Sequence, residues 1–420
     1  MEADRKGLGW AEIGADMKRW RRNLHMWPEL AYQETRTSAL AASLLRDWGF
    51  KVTEGLAETG VLGTLCVGSG DRSVLLRADM DALPIQERSS IDHASERPNI
   101  AHLCGHDGHT ACLLGAARYL AETRQFSGTL HVLFQPAEEA TISGAATLVK
   151  DGSLDDLDVS AVYGLHAWPA LMAGTVAVHD GTAMAAADFF QIEIRGKAAH
   201  AGMPNLGHDA IVAAAHVVTA LQTVVSRSAN PNDLAVVTIG TIEGGQVSTQ
   251  IADHVRMTGT VRGADNIAVA LVRASMTKLV DQVCCAMGTE GQITFNGAVP
   301  AVVNSSDCIQ TVVRAAELVI GRDKVRRDVP PSMAAEDFAF LLGKWPGCFF
   351  WLGGGRADGS PSLHEPTFDF NDDTLIVGAQ IFTQIVELEL APKDSSSYLS
   401  GSIRGGLGAQ DGAKQASRPR

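Results

Sequence analysis

The chain has 420 residues, a length at which a protein usually divides into two domains. It is 45% hydrophobic and 20% charged, an ordinary balance for a globular protein with a buried core. Its formal net charge of −13 argues against a nucleic-acid-binding surface, which needs clustered lysine and arginine, so small molecules or proteins are the expected partners.

Other parts of the sequence disfavour export and membrane insertion. Residues 1–27 are dense in charge and lack the apolar core of a signal peptide. The most apolar helical run, residues 210–225, is short and contains His216 and Gln222, so no membrane partner is expected. Seven irregularly spaced cysteines fit a reducing compartment better than a disulfide framework. These features predict a cytoplasmic protein.

Hydrophobic spacing in the first part of the chain predicts alternating helices and strands. The predicted helices are 16–25, 34–48 and 110–121, and the predicted strands are 61–67, 73–77, 129–134 and 159–165. A repeated order of strand, polar cluster and helix is typical of an α/β fold with a mainly parallel sheet. Functional side chains in such folds collect at the carboxyl ends of the strands.

The pattern changes near residue 184. The next elements follow the order β-α-β-β-α-β, which is typical of a ferredoxin-like sandwich. They are predicted at residues 188–195, 207–226, 234–243, 251–261, 267–287 and 292–295. The α/β pattern then resumes, with predicted elements at 306–320, 348–352 and 373–388.

We therefore expect one domain interrupted by another. Residues 1–183 and 299–391 would form the first domain, and residues 184–298 an inserted α+β domain. Residues 392–420 are rich in serine, glycine and basic residues and poor in apolar ones, which predicts a disordered tail.

Residues able to bind a metal ion are predicted at the carboxyl ends of four strands, as the pairs 79 and 81, 104 and 106, 138 and 139, and as residue 166, with one more in the loop at residue 364. They are Asp79, Asp81, Cys104, His106, Glu138, Glu139, His166 and His364. Two divalent ions need five or six ligands, at least one of them bridging, and a nearby base. The set suffices, because the Cys104 thiolate can bridge and the histidines supply neutral nitrogens. One glutamate of the 138–139 pair would bind metal while the other accepts a proton.

Simpler interpretations exist for each residue alone. Cys104 and His106 could be a buried cysteine beside a solvated histidine, and Asp79 and Asp81 could cap a helix or form a turn. A structural zinc site would instead want its four ligands near one another in sequence. The scatter of candidates over several strand ends favours a catalytic centre. His109, one helical turn beyond His106, is expected to pack or to support the ligands.

Five motifs carry a resemblance to a known family. They are residues 77–84 (RADMDALP), 104–111 (CGHDGHTA), 135–139 (QPAEE), 164–166 (GLH) and 335–338 (AEDF). In this order they resemble metal-dependent amidohydrolases of the hippurate hydrolase and plant auxin-conjugate hydrolase type, within the zinc aminoacylase and carboxypeptidase family. The resemblance runs from about residue 20 to residue 389. It implies a zinc-peptidase-like catalytic domain and an inserted lid that also forms a dimer.

The resemblance also implies roles for single residues. Glu138 would be the catalytic base, with Asp79 and Asp81 supporting the centre. Two divalent ions per subunit, for which zinc, manganese, nickel and cobalt are all suitable, would be bound by Cys104, His106, Glu139, His166 and His364.

Two lid residues are implied as well. His200, in the segment 196–201 (GKAAHA), would help to hold the scissile carbonyl oxygen, and Arg262 would meet the substrate carboxylate. The sequence departs from the family at two positions. Thr249 stands where an asparagine is usual and is kept as a substrate-binding candidate, and Asn205 replaces a histidine after Pro204.

The expected activity is hydrolysis of the amide bond of N-acyl amino acids, with an aryl-acyl or acetyl group, by a homodimer or larger homo-oligomer. A dipeptidase or aminopeptidase on the same scaffold is the nearest alternative. It would need an unpaired carboxylate near the lid to bind a free amine. A non-catalytic metal-binding protein is a second alternative, and it predicts bound metal without turnover.

Overall fold

The structure, a computed structural model, describes residues 9–230 and 234–392. The predicted disordered tail lies outside these residues, apart from Pro392. The α-helices of the described part are α1 (Trp10–Met26), α2 (Thr35–Asp47), α3 (His106–Thr123), α4 (Gly144–Lys150), α5 (Ala210–Thr223), α6 (Asn266–Ala286), α7 (Ser306–Ile320), α8 (Phe338–Leu342) and α9 (Leu375–Glu389).

The strands of the same part form two larger and two smaller sheets. They are β1 (Lys51–Leu56), β2 (Gly60–Val67), β3 (Ser73–Asp79), β4 (Gly128–Gln135), β5 (Ala161–Met172), β6 (Val176–Val178), β7 (Thr182–Met184), β8 (Ala186–Arg195), β9 (Ala199–His200), β10 (Ala235–Gly244), β11 (Gln250–Ile251), β12 (His254–Gly263), β13 (Glu290–Val299), β14 (Val302–Val303), β15 (Val325–Arg326) and β16 (Gly347–Gly355).

The largest sheet has the strand order β1-β2-β4-β3-β5-β16-β6-β15. Its centre, from β4 to β16, is parallel, as predicted, whereas β1, β2 and β6 join their inner neighbours in antiparallel pairs. Strand β3 is buried along its whole length, which explains its continuous apolar run. Val74 and Leu76 face one hydrophobic core and Leu75 faces the other, as expected for side chains that alternate across a strand. The chain therefore has a mixed α/β fold.

A second unit, residues 186–299, has its own sheet and core. Its strand order is β10-β12-β8-β13, and all three pairings are antiparallel. Helices α5 and α6 pack on this sheet, so the elements follow the predicted order β-α-β-β-α-β. The chain enters and leaves the second unit through β7 and β14, which pair with each other.

Helix α5 shows how a local cap sets a boundary. The helix predicted from residue 207 begins at Ala210, because the Asp209 carboxylate accepts hydrogen bonds from the backbone N–H groups of Ile211 and Val212. Together with the π-helical turn that follows, residues 210–228 are long and apolar enough to cross a membrane by length and composition. One face of α5 is instead buried against the second sheet, whereas Ile211 and Val212 are exposed.

Two predicted placements were wrong. Strand β5 does not end before His166 but continues to Met172, because β16 pairs with it over that length. Cys104 follows a long loop rather than a strand, and α3 begins at His106 instead of residue 110. Strand β1 and helix α4 were not predicted, since β1 is largely exposed and α4 is only seven residues long.

Candidate metal centre

The structure brings the predicted ligand side chains together. In each of two groups, one ligand atom per residue lies within 4.8 Å of the others. Cys104, His106 and His166 form the first group, and Cys104, Glu139 and His364 form the second. Cys104 is common to both groups. We call these five residues, with Glu138, the Cys104 cluster.

The hydrogen bond of His106 fixes which of its ring nitrogens has a free lone pair. Nδ1 lies 2.9 Å from the backbone carbonyl oxygen of Asp81, which can only accept, so Nδ1 carries the hydrogen. Nε2 is therefore the nitrogen with the lone pair in the neutral ring. This atom is buried and has no hydrogen-bond partner. A buried, unpaired lone pair suits a metal ligand.

His166 is arranged in the same way. Its Nδ1 lies 2.8 Å from the backbone carbonyl oxygen of Ala167, which places the lone pair on Nε2. Nε2 accepts a hydrogen bond of 3.4 Å from the Cys104 thiol. Both histidines thus have a ligand nitrogen near the same thiol.

His109 is also close to His106 and Asp79, but both of its ring nitrogens are already used. Nδ1 is 2.7 Å from Asp79 Oδ1, and Nε2 accepts a hydrogen bond of 2.8 Å from the Ala167 backbone N–H. No lone pair is left for an ion. This supports the expected packing and supporting role of His109.

A tight turn after β4 directs two adjacent glutamates into the cluster. Ala137 has a φ of +56°, a left-handed conformation that costs a non-glycine residue about 1–2 kcal/mol. The Asp81 carboxylate stabilises the turn by accepting the backbone N–H groups of Glu138 and Glu139, at 3.0 and 2.9 Å. The buried Glu34 accepts the N–H of Ala137 at 2.8 Å. Asp81 thus positions the backbone of both glutamates.

The last ligand candidate, His364, comes from a loop far along the chain. Its Nε2 is 3.0 Å from Glu139 Oε1, and its backbone N–H donates to the Leu103 carbonyl at 2.7 Å. This backbone bond ties the loop to the segment that carries Cys104. The His364 side chain is 48% exposed, so the cluster is open to solvent on this side.

Burial and neighbouring charge change the pKa values of the cluster residues, among them Glu138 and Cys104. Burial raises the pKa of Glu138 well above its usual range, and the negative charges of Glu336 and Glu139 raise it further. Burial also raises the pKa of the Cys104 thiol. A divalent cation has the opposite effect on a thiol that binds it.

The fully buried guanidinium of Arg77 organises carboxylates behind the cluster. Nη1 donates to Asp79 Oδ2 at 2.7 Å, and Nη2 donates to Asp337 Oδ1 at 2.7 Å and lies 3.1 Å from Glu336 Oε1. We call these four residues the Arg77 network. Asp79 accepts from both Arg77 and His109, so it supports the cluster indirectly. The network was missed in the sequence, where the available signal was a charged residue inside an apolar strand.

Replacing Arg77 by methionine should lower the free energy of unfolding by about 3–5 kcal/mol, because it leaves buried carboxylates without a partner. Urea unfolding of the metal-free protein measures this change. Arg46→Ala, which removes an exposed ion pair with Glu54, is the control and should change the stability little. Equal stabilities of the two variants would contradict a structural role for the Arg77 network.

A second buried ion network holds the first turn of α3. Asp107 Oδ2 lies 3.0 Å from Arg21 Nε and 2.8 Å from His25 Nδ1. The Asp107 Oδ1 atom accepts from the Gly108 backbone N–H at 2.9 Å. These bonds fix the turn that carries His106. The network joins α1 to α3 through His25 and Asp107, which are 82 residues apart in the sequence, and it was not predicted.

The three predicted lid residues lie outside the two ligand groups. His200 is exposed on β9, and its Nδ1 accepts from the Gly202 backbone N–H at 3.1 Å. Thr249 is exposed, and its backbone carbonyl accepts from the N–H of Ala201, the residue after β9, at 2.9 Å. Arg262 is partly buried, and its Nη1 donates to the Met333 carbonyl at 2.9 Å. Their roles at the site stay predictions.

The chain resembles known proteins over most of its length. Residues 75–388 match the family model of peptidase family M20/M25/M40. The chain is 38% identical over 381 residues to the N-acetyl-L-cysteine deacetylase of Bacillus subtilis (strain 168), covering 90% of this chain and 89% of that protein. It is 33% identical over 374 residues to the hippurate hydrolase of Campylobacter jejuni, covering 89% and 96% of the two chains.

A solved structure shows the same fold. The crystal structure of the Bacillus subtilis YxeP protein, a dinuclear metal binding peptidase from the M20 family, superposes with a TM-score of 0.78 and 30% sequence identity, covering 90% of this chain and 99% of that one. The family match and these likenesses confirm the resemblance predicted from the motifs. The chain therefore belongs to peptidase family M20/M25/M40, a family of amide-bond hydrolases.

Proposed function

We propose that this M20 hydrolase cleaves the amide bond of N-acyl amino acids with a dinuclear metal centre. The observation that carries the proposal is the pair of ligand groups that share the Cys104 thiol, with Glu138 beside them. The proposed ligands of the two ions are Cys104, His106, Glu139, His166 and His364.

The donor atoms fit divalent metal ions. The Nε2 atom of His106 is buried without a partner, and Nε2 of His166 accepts from the Cys104 thiol. One thiolate, three imidazoles and one carboxylate suit zinc, manganese, nickel or cobalt. The clustered donors support divalent metal binding, and the number of two ions is our proposal.

Glu138 is proposed as the general base and acid. When bound, two divalent ions lower the pKa of a water molecule and polarise a carbonyl group. Glu138 then accepts the proton of the attacking water and later donates it to the leaving amine. Its side chain is only 11% exposed, which shields that proton from bulk water between the two steps. Asp81 keeps Glu138 in place through the backbone.

The second unit is proposed as a lid. His200 would donate a hydrogen bond to the carbonyl oxygen as negative charge develops on it. Because His200 is exposed outside the two ligand groups, closure of the lid or a second subunit must bring it to the centre. Arg262 would pair with the substrate carboxylate, and Thr249 would contribute a hydroxyl where the family usually has an amide. We place the lid at residues 184–298, between the catalytic segments 1–183 and 299–391.

A substrate panel tests the reaction. The protein, reconstituted with each metal in turn, is incubated with hippurate, N-acetyl amino acids and arylacetyl amino acids, and amine release is followed. We expect turnover of these substrates and little turnover of dipeptides with a free amine. Faster cleavage of dipeptides would favour the dipeptidase or aminopeptidase alternative. Stoichiometric metal without any turnover would favour a metal-binding protein.

We further propose a cytoplasmic homodimer joined through the second unit. The observation behind it is a set of large apolar side chains exposed on α5 and α6: Ile211, Val212, Ile267 and Leu271. Light scattering should give twice the chain mass of 44.4 kDa. A monomeric mass at micromolar concentration would contradict this proposal.

A further inference from the structure

A cavity of about 390 Å³ lies beside the chain segments that carry His166 and His364. It lies between the outer part of β5 and the loop before His364, and its lining residues are Trp168, Pro169, Ala170, Ser360, Ser362 and Leu363. None of these residues is charged. Four of them are apolar, and the two serines add hydroxyl groups to one side of the loop.

Two lining residues of the cavity are close in sequence to proposed ligands. Trp168 follows His166 by two residues, and the two ring centroids are 6.1 Å apart. Leu363 directly precedes His364. The cavity therefore adjoins the two segments that carry His166 and His364, one ligand from each group.

The aromatic wall of the cavity is held in place. The Trp168 ring stacks on Trp351 with a centroid distance of 3.7 Å and an interplanar angle of 4°. Trp351 is 1% exposed, and the His179 ring packs against it at 4.2 Å. A wall fixed in this way costs little conformational entropy when it binds a planar group.

The position of Glu138 indicates which half of the substrate the cavity receives. Glu138 donates a proton to the leaving amine, so the amine must lie beside it. Glu138, Glu336 and Asp337 each have a carboxylate oxygen within 4.8 Å of the others. Met333, whose carbonyl accepts from Arg262, precedes Glu336 by three residues. On this basis we assign the amino acid and its carboxylate to this side of the centre. The acyl group leaves the carbonyl carbon in another direction, and the cavity beside His166 and His364 is available to it.

We propose that this cavity is the acyl-binding site and that it selects flat aromatic acyl groups over acetyl. This inference rests on the proposed function. An apolar cavity of roughly 150 Å³ is enough to hold benzene, so 390 Å³ accommodates an aryl ring that an acetyl group would leave mostly unfilled. The absence of charge among the lining residues disfavours acidic acyl groups.

The test compares kcat/KM for N-benzoyl, N-phenylacetyl and N-acetyl derivatives of the same amino acid. We expect the wild-type protein to prefer the aryl substrates. Trp168→Ala should lower kcat/KM for these by about 10- to 100-fold and change the value for the acetyl substrate by less than about twofold. Trp168→Phe should restore most of the loss. Trp10→Ala, at a stacked aromatic pair with Tyr119 outside the cavity, is the control and should leave the ratio unchanged.

Other outcomes would overturn the inference. An equal loss for aryl and acetyl substrates, with bound metal retained, would mean that Trp168 only supports the structure. Trp168→Ala could instead lower kcat/KM for N-acetylphenylalanine more than for N-acetylglycine. That result would mean that the cavity binds the side chain of the leaving amino acid. In both cases the proposed hydrolysis stands. If the wild-type protein cleaves none of the acyl amino acids, the proposed function and this inference fail together.

Discussion

Replacing Glu138 by glutamine should lower kcat by a factor of about 10² to 10⁴ while the protein still binds two equivalents of metal. Glutamine keeps the shape of the side chain but cannot accept the proton of the attacking water. The Asp81 carboxylate would still hold the turn, because it binds the backbone N–H groups of residues 138 and 139. Single-turnover kinetics and elemental analysis of the same preparation measure the two quantities.

The neighbouring glutamate provides the matched control. Glu139→Gln removes a proposed ligand that lies within reach of Cys104 and His364, so metal content should fall together with activity. The two variants differ only in which adjacent carboxylate is lost. Full activity of Glu138→Gln would contradict its role as base. Equal metal loss in both variants would instead make Glu138 a ligand.

Replacing Cys104 by alanine should remove both ions and reduce activity to background. Its Sγ atom is the one donor shared by the two ligand groups, and without it each group keeps two donors. Loss of His166, which belongs to one of these groups, should weaken the binding of one ion more than that of the other. Isothermal titration calorimetry of the metal-free protein with Mn²⁺ or Zn²⁺ distinguishes these results.

Cys66→Ala is the control for the thiol substitution, since Cys66 is exposed on β2 and lies outside both ligand groups. The Cys66→Ala variant should bind two equivalents of metal with unchanged affinity. If Cys104→Ala also binds two ions as tightly as the wild-type protein, the thiolate does not bridge them.

The regular parts of the fold could be predicted because burial leaves a periodic pattern in the sequence. Strand β3 is buried throughout and contains the apolar run 74–76, and α7 was predicted with its observed bounds, Ser306–Ile320. Strand β1 lies at a sheet edge and is largely exposed, so it has no such pattern. The length of β5 beyond His166 depends on its pairing with β16, some 180 residues away, which local spacing does not encode.

The candidate ligands could be predicted as a set because few other kinds of site need a cysteine, several histidines and paired acidic residues. The hydrogen bonds that support these ligands could not be predicted. Arg77 and Asp337 are 260 residues apart, and the Asp81 side chain acts through backbone N–H groups that have no sequence signature. His109 differs from His106 only in what surrounds its two ring nitrogens, so hydrogen bonds rather than spacing separate a ligand from a support.

Metal-dependent amide hydrolysis is tested most directly by titrating chelator-treated protein with Mn²⁺ while following release of glycine from hippurate. The proposed centre predicts no turnover without metal, and a rate that rises and reaches its plateau at two equivalents per chain. A plateau at one equivalent would contradict the dinuclear centre. Full turnover by the metal-free protein, or no amine release from hippurate or any other acyl amino acid at any metal ratio, would contradict the proposed function itself.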